Sequence, residues 1–482
     1  MKLPEFFQHR RVRRESALGL LLRRQTQLVK QDDSKLFDRA QVETSARHLM
    51  GARLQFLDAC LQFLAQARKA RQVEANPLHF HICEDRQQRN FDVPIDPELP
   101  VIETKALADC PGRVLASPLT AQRDVPPFDN SAMDGYAVRH SDLPGPLAIS
   151  QRVPAGSPAE PLAAGTAARI FTGAVLPAGA DTVLIQENAR DDAAGLTALE
   201  IPEPGSNIRR RGGDITGGEV ILGAGQLLSP QDIGLAASVG CTELPTYRPL
   251  RVAVITTGDE LVEPGDDPQP WQIFNSNGVQ LCAQIRALGM HPERYTNVPD
   301  NPDQIGATLE AAARVSDCIV TSGGVSVGEE DHVRHQIESR GALRLWKLAL
   351  KPGKPLAFGE VAGCPVFALP GNPVSSWVTF GLLVKPWLLA AQGAEVPPMR
   401  RLPARAAFSV ARAGQREEYL RVVLDDGEIP TARLSGDQGS GVLSAAGRAN
   451  ALAVLPAGTT VAPGDSISVV LVSEFLSPAA AG

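Results

Sequence analysis

Between residues 249 and 392 short, unbroken apolar runs alternate with stretches of helical period. Val252-Ala253-Val254-Ile255, Cys318-Ile319-Val320 and Pro365-Val366-Phe367-Ala368-Leu369 read as buried strands. Gly278–Leu288 reads as a helix between the first two. That alternation predicts a parallel sheet covered by helices. Residues 126–218 differ: Gly and Pro are frequent and the apolar runs are short, as in Ala168-Arg169-Ile170-Phe171 and Thr182-Val183-Leu184-Ile185. This predicts a β-rich module. After Pro397 and Pro398 the runs are short again, with Glu418–Leu424 and Ser466–Val472 as strands, which predicts a small β domain over 397–475. The flanking segments, 51–125 with 219–248, read as a helical linking domain. Its helices are expected over 54–70 (Leu54, Leu57, Leu61, Leu64), Thr104–Ala116, and 219–240 around Ile233, Leu235, Ala236 and Val239. Residues 76–99 read as an irregular connection. The fold expected is therefore multidomain, α/β and β, with a helical N-terminal part.

Charge changes the picture at the N-terminus. Residues 1–75 carry 15 Lys and Arg against 8 Asp and Glu, whereas the rest of the chain carries 32 against 46. Residues 1–50 form an unassigned basic extension. Ser16–Leu22 is too short and poorly flanked for a secretory signal, which leaves a transit peptide, an Arg-rich surface helix, or translation starting at Met50. The acidic body argues against a general nucleic-acid binder. Apolar runs shorter than the roughly 20 residues of a membrane helix argue against a membrane protein. The seven cysteines form no C-x-x-C pair, so no disulfide framework or zinc knuckle is expected, and a cytoplasmic location is the simplest.

The candidate chemistry sits in loops that follow predicted strands, where open parallel sheets bind ligands. Thr257-Gly258-Asp259-Glu260-Leu261 is the first. Ser322-Gly323-Gly324-Val325-Ser326-Val327-Gly328 is the second, ending near Asp331, and its glycines allow backbone N–H groups to approach an oxyanion. Lys351-Pro352-Gly353-Lys354-Pro355 holds two lysines between prolines, suited to clamping an anion or to a solvated turn. Leu369-Pro370-Gly371-Asn372-Pro373 opens an apolar helix, with Ser375 and Ser376 able to cap it. Glu260 and Asp331 are candidate Mg²⁺ ligands, because that ion takes one or two carboxylates together with phosphate oxygens and water. His332 and His335, and His79, His81 and Cys83, have spacings that metals use, but surface polarity and a plain loop or strand account for them. In the β-rich module, Pro126–Arg139 packs Asp129 and Asp134 into a turn, and Asn207–Asp214 groups Arg209, Arg210 and Arg211, suited to oxyanions or to guarding a strand edge.

Six stretches, in order, resemble the molybdopterin molybdenumtransferase family, which completes molybdenum cofactor assembly and is related to the C-terminal domain of gephyrin. They are Pro127–Tyr136, Phe171–Ala174, Thr257–Leu261, Ser322–Gly328, Lys351–Pro355 and Leu369–Pro373. The resemblance implies a molybdopterin-binding α/β domain, a C-terminal β-barrel-like domain and an elongated homodimer whose clefts are shared between subunits. It implies that molybdate and adenylylated molybdopterin enter, that molybdenum cofactor and AMP leave, and that Mg²⁺ is needed. Asp134, Thr172, Glu260 and Asp331 would be catalytic, with Glu260 and Asp331 also at the metal. Arg209, Arg210, Ser322, Gly323, Gly324, Lys351, Lys354, Pro370, Asn372 and Ser375 would bind substrate. Implied partners are a molybdopterin adenylyltransferase and molybdoenzymes. The rival readings are an adenylyltransferase of the same α/β fold and a non-catalytic, gephyrin-like scaffold. Three departures stand out: Gly213 where an acidic residue is expected after the arginines, the long connection at 76–99, and residues 1–50.

Overall fold

The computed structural model describes residues 78–84, 87–93, 99–325 and 332–476. The basic extension, the expected helix at 54–70 and Asp331 lie outside the described residues.

A six-stranded sheet forms the α/β part: β1 (Arg251–Thr257), β2 (His291–Val298), β3 (Cys318–Ser322), β4 (Gly341–Trp346), β5 (Ala357–Val361) and β6 (Cys364–Leu369). Its spatial order is β2-β1-β3-β6-β5-β4. The first four in that order run parallel, and β5 and β4 add an antiparallel edge. The reading of a parallel sheet therefore holds for its centre. Helices α1 (Ser276–Ala287), α2 (Pro302–Ala313), α3 (His332–Arg340) and α4 (Pro373–Thr379) pack on it, and α4 continues through a wide π turn (Phe380–Val384) into α5 (Lys385–Ala391). Pro386 lacks an N–H and would crowd a regular α turn, and the wider turn immediately before it relieves both problems. Gly381 lets the aromatic ring of Phe475 approach this turn closely, since a Cβ there would lie 1.7 Å from the ring. The run Pro373–Ala391 is long and apolar enough to cross a membrane, yet most of it is buried inside the protein. Its Trp387 stacks edge-on against Phe367 at 5.3 Å, and Phe367 meets Phe358 at 4.6 Å, so the core of the α/β part covers the apolar face.

The inserted module is a four-stranded sheet of Ala148–Val153, Thr166–Ile170, Gly135–Val138 and Thr182–Ile185, in that order. In the C-terminal part, Glu417–Asp425, Thr431–Leu434, Leu402–Ala406, Ser466–Leu471 and Ala451–Leu455 pair in sequence, and the last pairs back to the first. The result is a closed small barrel, which leaves no free sheet edge among these strands.

The linking part corrects the expected helices. Thr104–Ala116 is not a helix: Ile102–Ala106 is a strand paired with Glu243–Tyr247, and Val114 and Leu115 make isolated bridges. Its exposure alternates residue by residue, and the pairing satisfies backbone groups through a segment far along the chain. Within 219–240, Val220–Leu222 is a strand, and the helix spans only Pro230–Ser238. Ser229 and Asp232 form a capping box at its start, which is where the sequence signal truly lay. Leu78–Glu84 and Gln87–Val93 pair as antiparallel strands where an irregular connection was expected; His79, His81 and Cys83 fall on the first of them.

Candidate active site

The strand order reverses between β1 and β3, because the chain leaves β1 for β2 on one side and returns to β3 on the other. Loops leaving the carboxyl ends of such neighbours diverge and open a crevice. A cleft of about 710 Å³ lies there. The loop after β1 supplies Thr257, Gly258 and Glu260, the loop after β3 supplies Ser322, Gly323 and Gly324, and the loop after β6 supplies Pro370, Gly371 and Asn372. The amino end of α1 brings Ser276 and Asn277, which turns the positive end of that helix toward the cleft. Pro355 of the lysine loop and Gly441 of the barrel complete the wall.

Asn277 ties these loops together. Its Nδ2 donates to Ser322 Oγ at 2.9 Å and to the Gly371 carbonyl at 2.7 Å, while Ser322 Oγ donates to the Pro370 carbonyl at 3.1 Å. Asn275 caps α1 by accepting from the Gly278 N–H, and its Nδ2 donates to Thr256 Oγ1 and Glu263. Gly323 sits at φ +106°, and a Cβ there would lie 2.8 Å from the Thr257 carbonyl, so the two loops can meet only with glycine. The Gly323 N–H donates to the Leu369 carbonyl at 3.2 Å, so this amide closes the loop rather than facing a ligand. Thr257 Oγ1 and Asn277 Oδ1, on two residues of the cleft wall, are buried and lack a protein partner. Beside the cleft, a chamber of about 170 Å³ is lined by Thr256, Asp259, Glu263 and Asn275. Arg294 neutralises Glu263 there at 2.7 Å.

Glu260, Ser322, Gly323, Gly324, Pro370 and Asn372 thus share one cleft. Ser375 lies buried in the first helical turn and does not cap it: the N-cap is Asn372, without a side-chain bond, and the Ser440 carbonyl of the barrel accepts the Val374 N–H at 3.1 Å. Lys351 and Lys354 are outside the cleft wall. Lys351 Nζ pairs with Glu418 of the barrel at 3.2 Å, and the Lys354 carbonyl accepts the Leu348 N–H at 2.8 Å. His335 faces solvent beside Glu338 on α3. Among the described residues no three His, Cys, Asp or Glu side chains gather as a metal cage. Among the groups of the cleft wall, the Glu260 and Asp300 carboxylates and the hydroxyl residues Thr257, Ser276 and Ser322 are oxygen donors of the kind that suit a hard cation such as Mg²⁺, which also takes substrate phosphate oxygens.

The inserted module holds a second constellation. Asp134 Oδ1 accepts from the Thr172 N–H and hydroxyl, each at 2.8 Å, and these bonds hold its carboxyl below the usual range. Arg209 sits opposite Asn130 in a short strand pair. Arg210 pairs with Asp129 at 2.8 Å, and Arg211 with Asp124 at 2.5 Å. The Arg211 N–H and the Arg210 guanidinium lower the Asp129 pKa; the Gly217 N–H and the Arg211 guanidinium do the same for Asp124. Gly213 belongs to the tight turn after the arginines, where a Cβ would lie 2.9 Å from the Arg210 carbonyl. The cleft wall includes none of Asp134, Thr172, Arg209 or Arg210.

Several residues escaped the sequence reading. Asn275, Ser276 and Asn277 were missed although Asn-Ser-Asn before a helix is a capping signal. Arg152 and Arg169 stack at 4.7 and 4.9 Å over Phe171, next to Thr172; they face one another only through strand register.

An α/β part with a cleft at a strand-order reversal, carrying a β-rich insert and a closed barrel, defines a class of multidomain proteins in which a ligand site is expected beyond the strand ends. Three family profiles match in succession: the MoeA N-terminal region (domain I and II) over 81–240, a probable molybdopterin binding domain over 253–390, and the MoeA C-terminal region (domain IV) over 403–472. The molybdopterin molybdenumtransferase of Haemophilus influenzae is 39% identical over 359 residues, which is 72% of this chain and 88% of that protein. The enzyme of the same name from Nostoc sp. is 37% identical over 364 residues, 72% of this chain and 84% of its own. Two crystal structures of the molybdopterin biosynthesis MoeA protein from Pyrococcus horikoshii superpose with TM-scores of 0.65 and 0.67 at 32% and 29% identity. They cover 77% and 78% of this chain and 95% and 96% of theirs. The chain belongs to the molybdopterin molybdenumtransferase (MoeA) family.

Proposed function

We propose that this protein is a molybdopterin molybdenumtransferase that inserts molybdate into adenylylated molybdopterin and releases AMP. The observation that carries the reading is the 710 Å³ cleft, in which Glu260, Ser322, Gly323, Gly324, Pro370 and Asn372 converge from three strand-end loops. The matched regions on both sides of the α/β part favour this over an adenylyltransferase built on the α/β fold alone. Residues 51–125 with 219–248, 126–218, 249–392 and 397–475 are its four working domains.

Ser322, Gly323, Gly324, Pro370, Asn372 and Ser375 form the wall and helix start that receive the phosphorylated substrate. Lys351 and Lys354 attract molybdate, and Arg209 and Arg210 contribute positive charge from the inserted module. Asp134, Thr172, Glu260 and Asp331 act at the reacting groups. Glu260 and Asp331 would hold Mg²⁺, which when bound would supply the neutralisation of phosphate charge that phosphoanhydride cleavage chiefly requires. Because Asp134 and Thr172 stand outside the cleft of their own chain, a homodimer that shares clefts is the natural assembly. The enzyme works in the cytoplasm and exchanges substrate and product with a molybdopterin adenylyltransferase and molybdoenzymes.

The test is reconstitution of an apo-molybdoenzyme with purified protein, adenylylated molybdopterin, Mg²⁺ and micromolar molybdate, with AMP followed in parallel. AMP release together with activation supports the reading. Absence of both, with the full chain and with a chain starting at Met50, overturns it.

A further inference from the structure

The lysine loop is fastened to the barrel as well as to its own sheet. Leu350–Lys351 runs parallel to Glu417–Glu418 as an added strand beside the barrel. The Glu417 N–H donates to the Ala349 carbonyl at 3.1 Å, and Arg416 Nη1 donates to the Leu350 carbonyl at 2.9 Å. At the end of this seam, Lys351 Nζ lies 3.2 Å from both carboxylate oxygens of Glu418. The two partners are unequally free. The Lys351 side chain is 53% exposed, whereas that of Glu418 is only 12% exposed. The turn at Gly414 encloses the carboxylate, since a Cβ there would lie 2.3 Å from Glu418 Oε1. The acid is therefore fixed and the lysine is the movable partner.

A fixed carboxylate sharing a lysine with an incoming oxyanion has two consequences. It orients the ammonium, which keeps one of its three donors for the anion. It also repels the anion, so binding at Lys351 is weaker than the lysine alone would give. We propose that Glu418 is a positioning residue that restrains Lys351 and sets a deliberately modest oxyanion affinity in the lysine loop. The barrel thereby takes part in substrate handling, although it contributes only Gly441 to the cleft wall. The inference rests on the reading of Lys351 as a molybdate-binding residue.

The experiment titrates molybdate into the full-length protein by calorimetry and measures KM for molybdate and kcat in the reconstitution assay. Wild type, Glu418→Gln and Glu418→Ala are compared, each with its melting temperature. Glu418→Gln keeps the shape and one acceptor but removes the charge. It is expected to bind molybdate about tenfold more tightly and to lower KM, without raising kcat. Glu418→Ala also removes the orienting contact, and its kcat is expected to fall below that of Glu418→Gln. If Glu418→Gln binds molybdate as wild type does, or more weakly, the restraint is overturned, whatever the melting temperatures show. If wild type itself binds no molybdate while AMP is still released, the anion role of Lys351 falls along with the restraint.

Discussion

The cleft of the α/β part and the acid–arginine turns of the inserted module are both rich in polar groups, yet they use them in opposite ways. Beside the arginine turn the carboxylates are already engaged: Asp124 and Asp129 by Arg211 and Arg210, and Asp134 by the Thr172 hydroxyl. In the cleft, the loops are joined through one amide side chain, Asn277, and buried acceptors such as Thr257 Oγ1 remain without a protein partner. Carboxylates engaged in this way hold a shape, whereas a large concave cleft lined by several strand-end loops is the form in which proteins receive ligands. The inserted module holds a rigid carboxylate, and the α/β part holds the large cleft.

The strongest way to break this comparison is Gly323→Val. The positive φ and the 2.8 Å approach to the Thr257 carbonyl forbid a branched side chain, so AMP binding and turnover should both disappear. Retained AMP binding would show that the cleft does not depend on that loop contact. Asp134→Asn should separate the two regions: turnover falls about a hundredfold while AMP binding by the cleft stays unchanged. Loss of binding in step with turnover would make Asp134 part of the binding site instead.

A buried charge in the α/β part gives a third test. Lys385 is 4% exposed, and burial pushes its pKa down to about 8, with the Glu474 carbonyl as its hydrogen-bond acceptor. The unfolded chain then holds more protons between about pH 8 and pH 10.5, so stability should rise with pH across that window. Lys385→Met should remove that rise, a difference of about 3 kcal/mol in the pH dependence of denaturant unfolding. An unchanged slope would mean that the ammonium is not desolvated. The smallest expected effect is where the inserted module meets the linking part. Asp124→Asn should speed amide hydrogen exchange at Gly217, whose N–H donates to that carboxylate at 2.8 Å, while the global unfolding midpoint stays put. The depressed pKa of Asp124 also means its contribution persists above the ordinary aspartate range and is lost as pH falls through the lowered value. Exchange that does not change, or that changes everywhere, would contradict a local role.

Strand runs with their own periodicity were legible: Val252–Ile255, Cys318–Val320 and Pro365–Leu369 lie in the observed strands β1, β3 and β6, and the helix expected at Gly278–Leu288 begins two residues earlier. The glycine loops that follow were legible as well, because glycine where a strand ends marks a backbone approach that other residues resist. Thr104–Ala116 was misread because its strand is defined by a partner at Glu243–Tyr247, and local propensity carries no record of that partner.

By itself the sequence determined the order of the modules, the strand-end loops and the set of residues able to carry anion chemistry, since these follow from periodicity, glycine and charge within a few positions of one another. Only the tertiary structure decided which of those charges are already spoken for. Lys351 meets Glu418 across 67 residues, Arg211 meets Asp124 across 87, and Asn277 reaches Gly371 across 94. Such pairings arise because sheet order and barrel closure bring distant backbone into register, and no local pattern in the chain encodes that register.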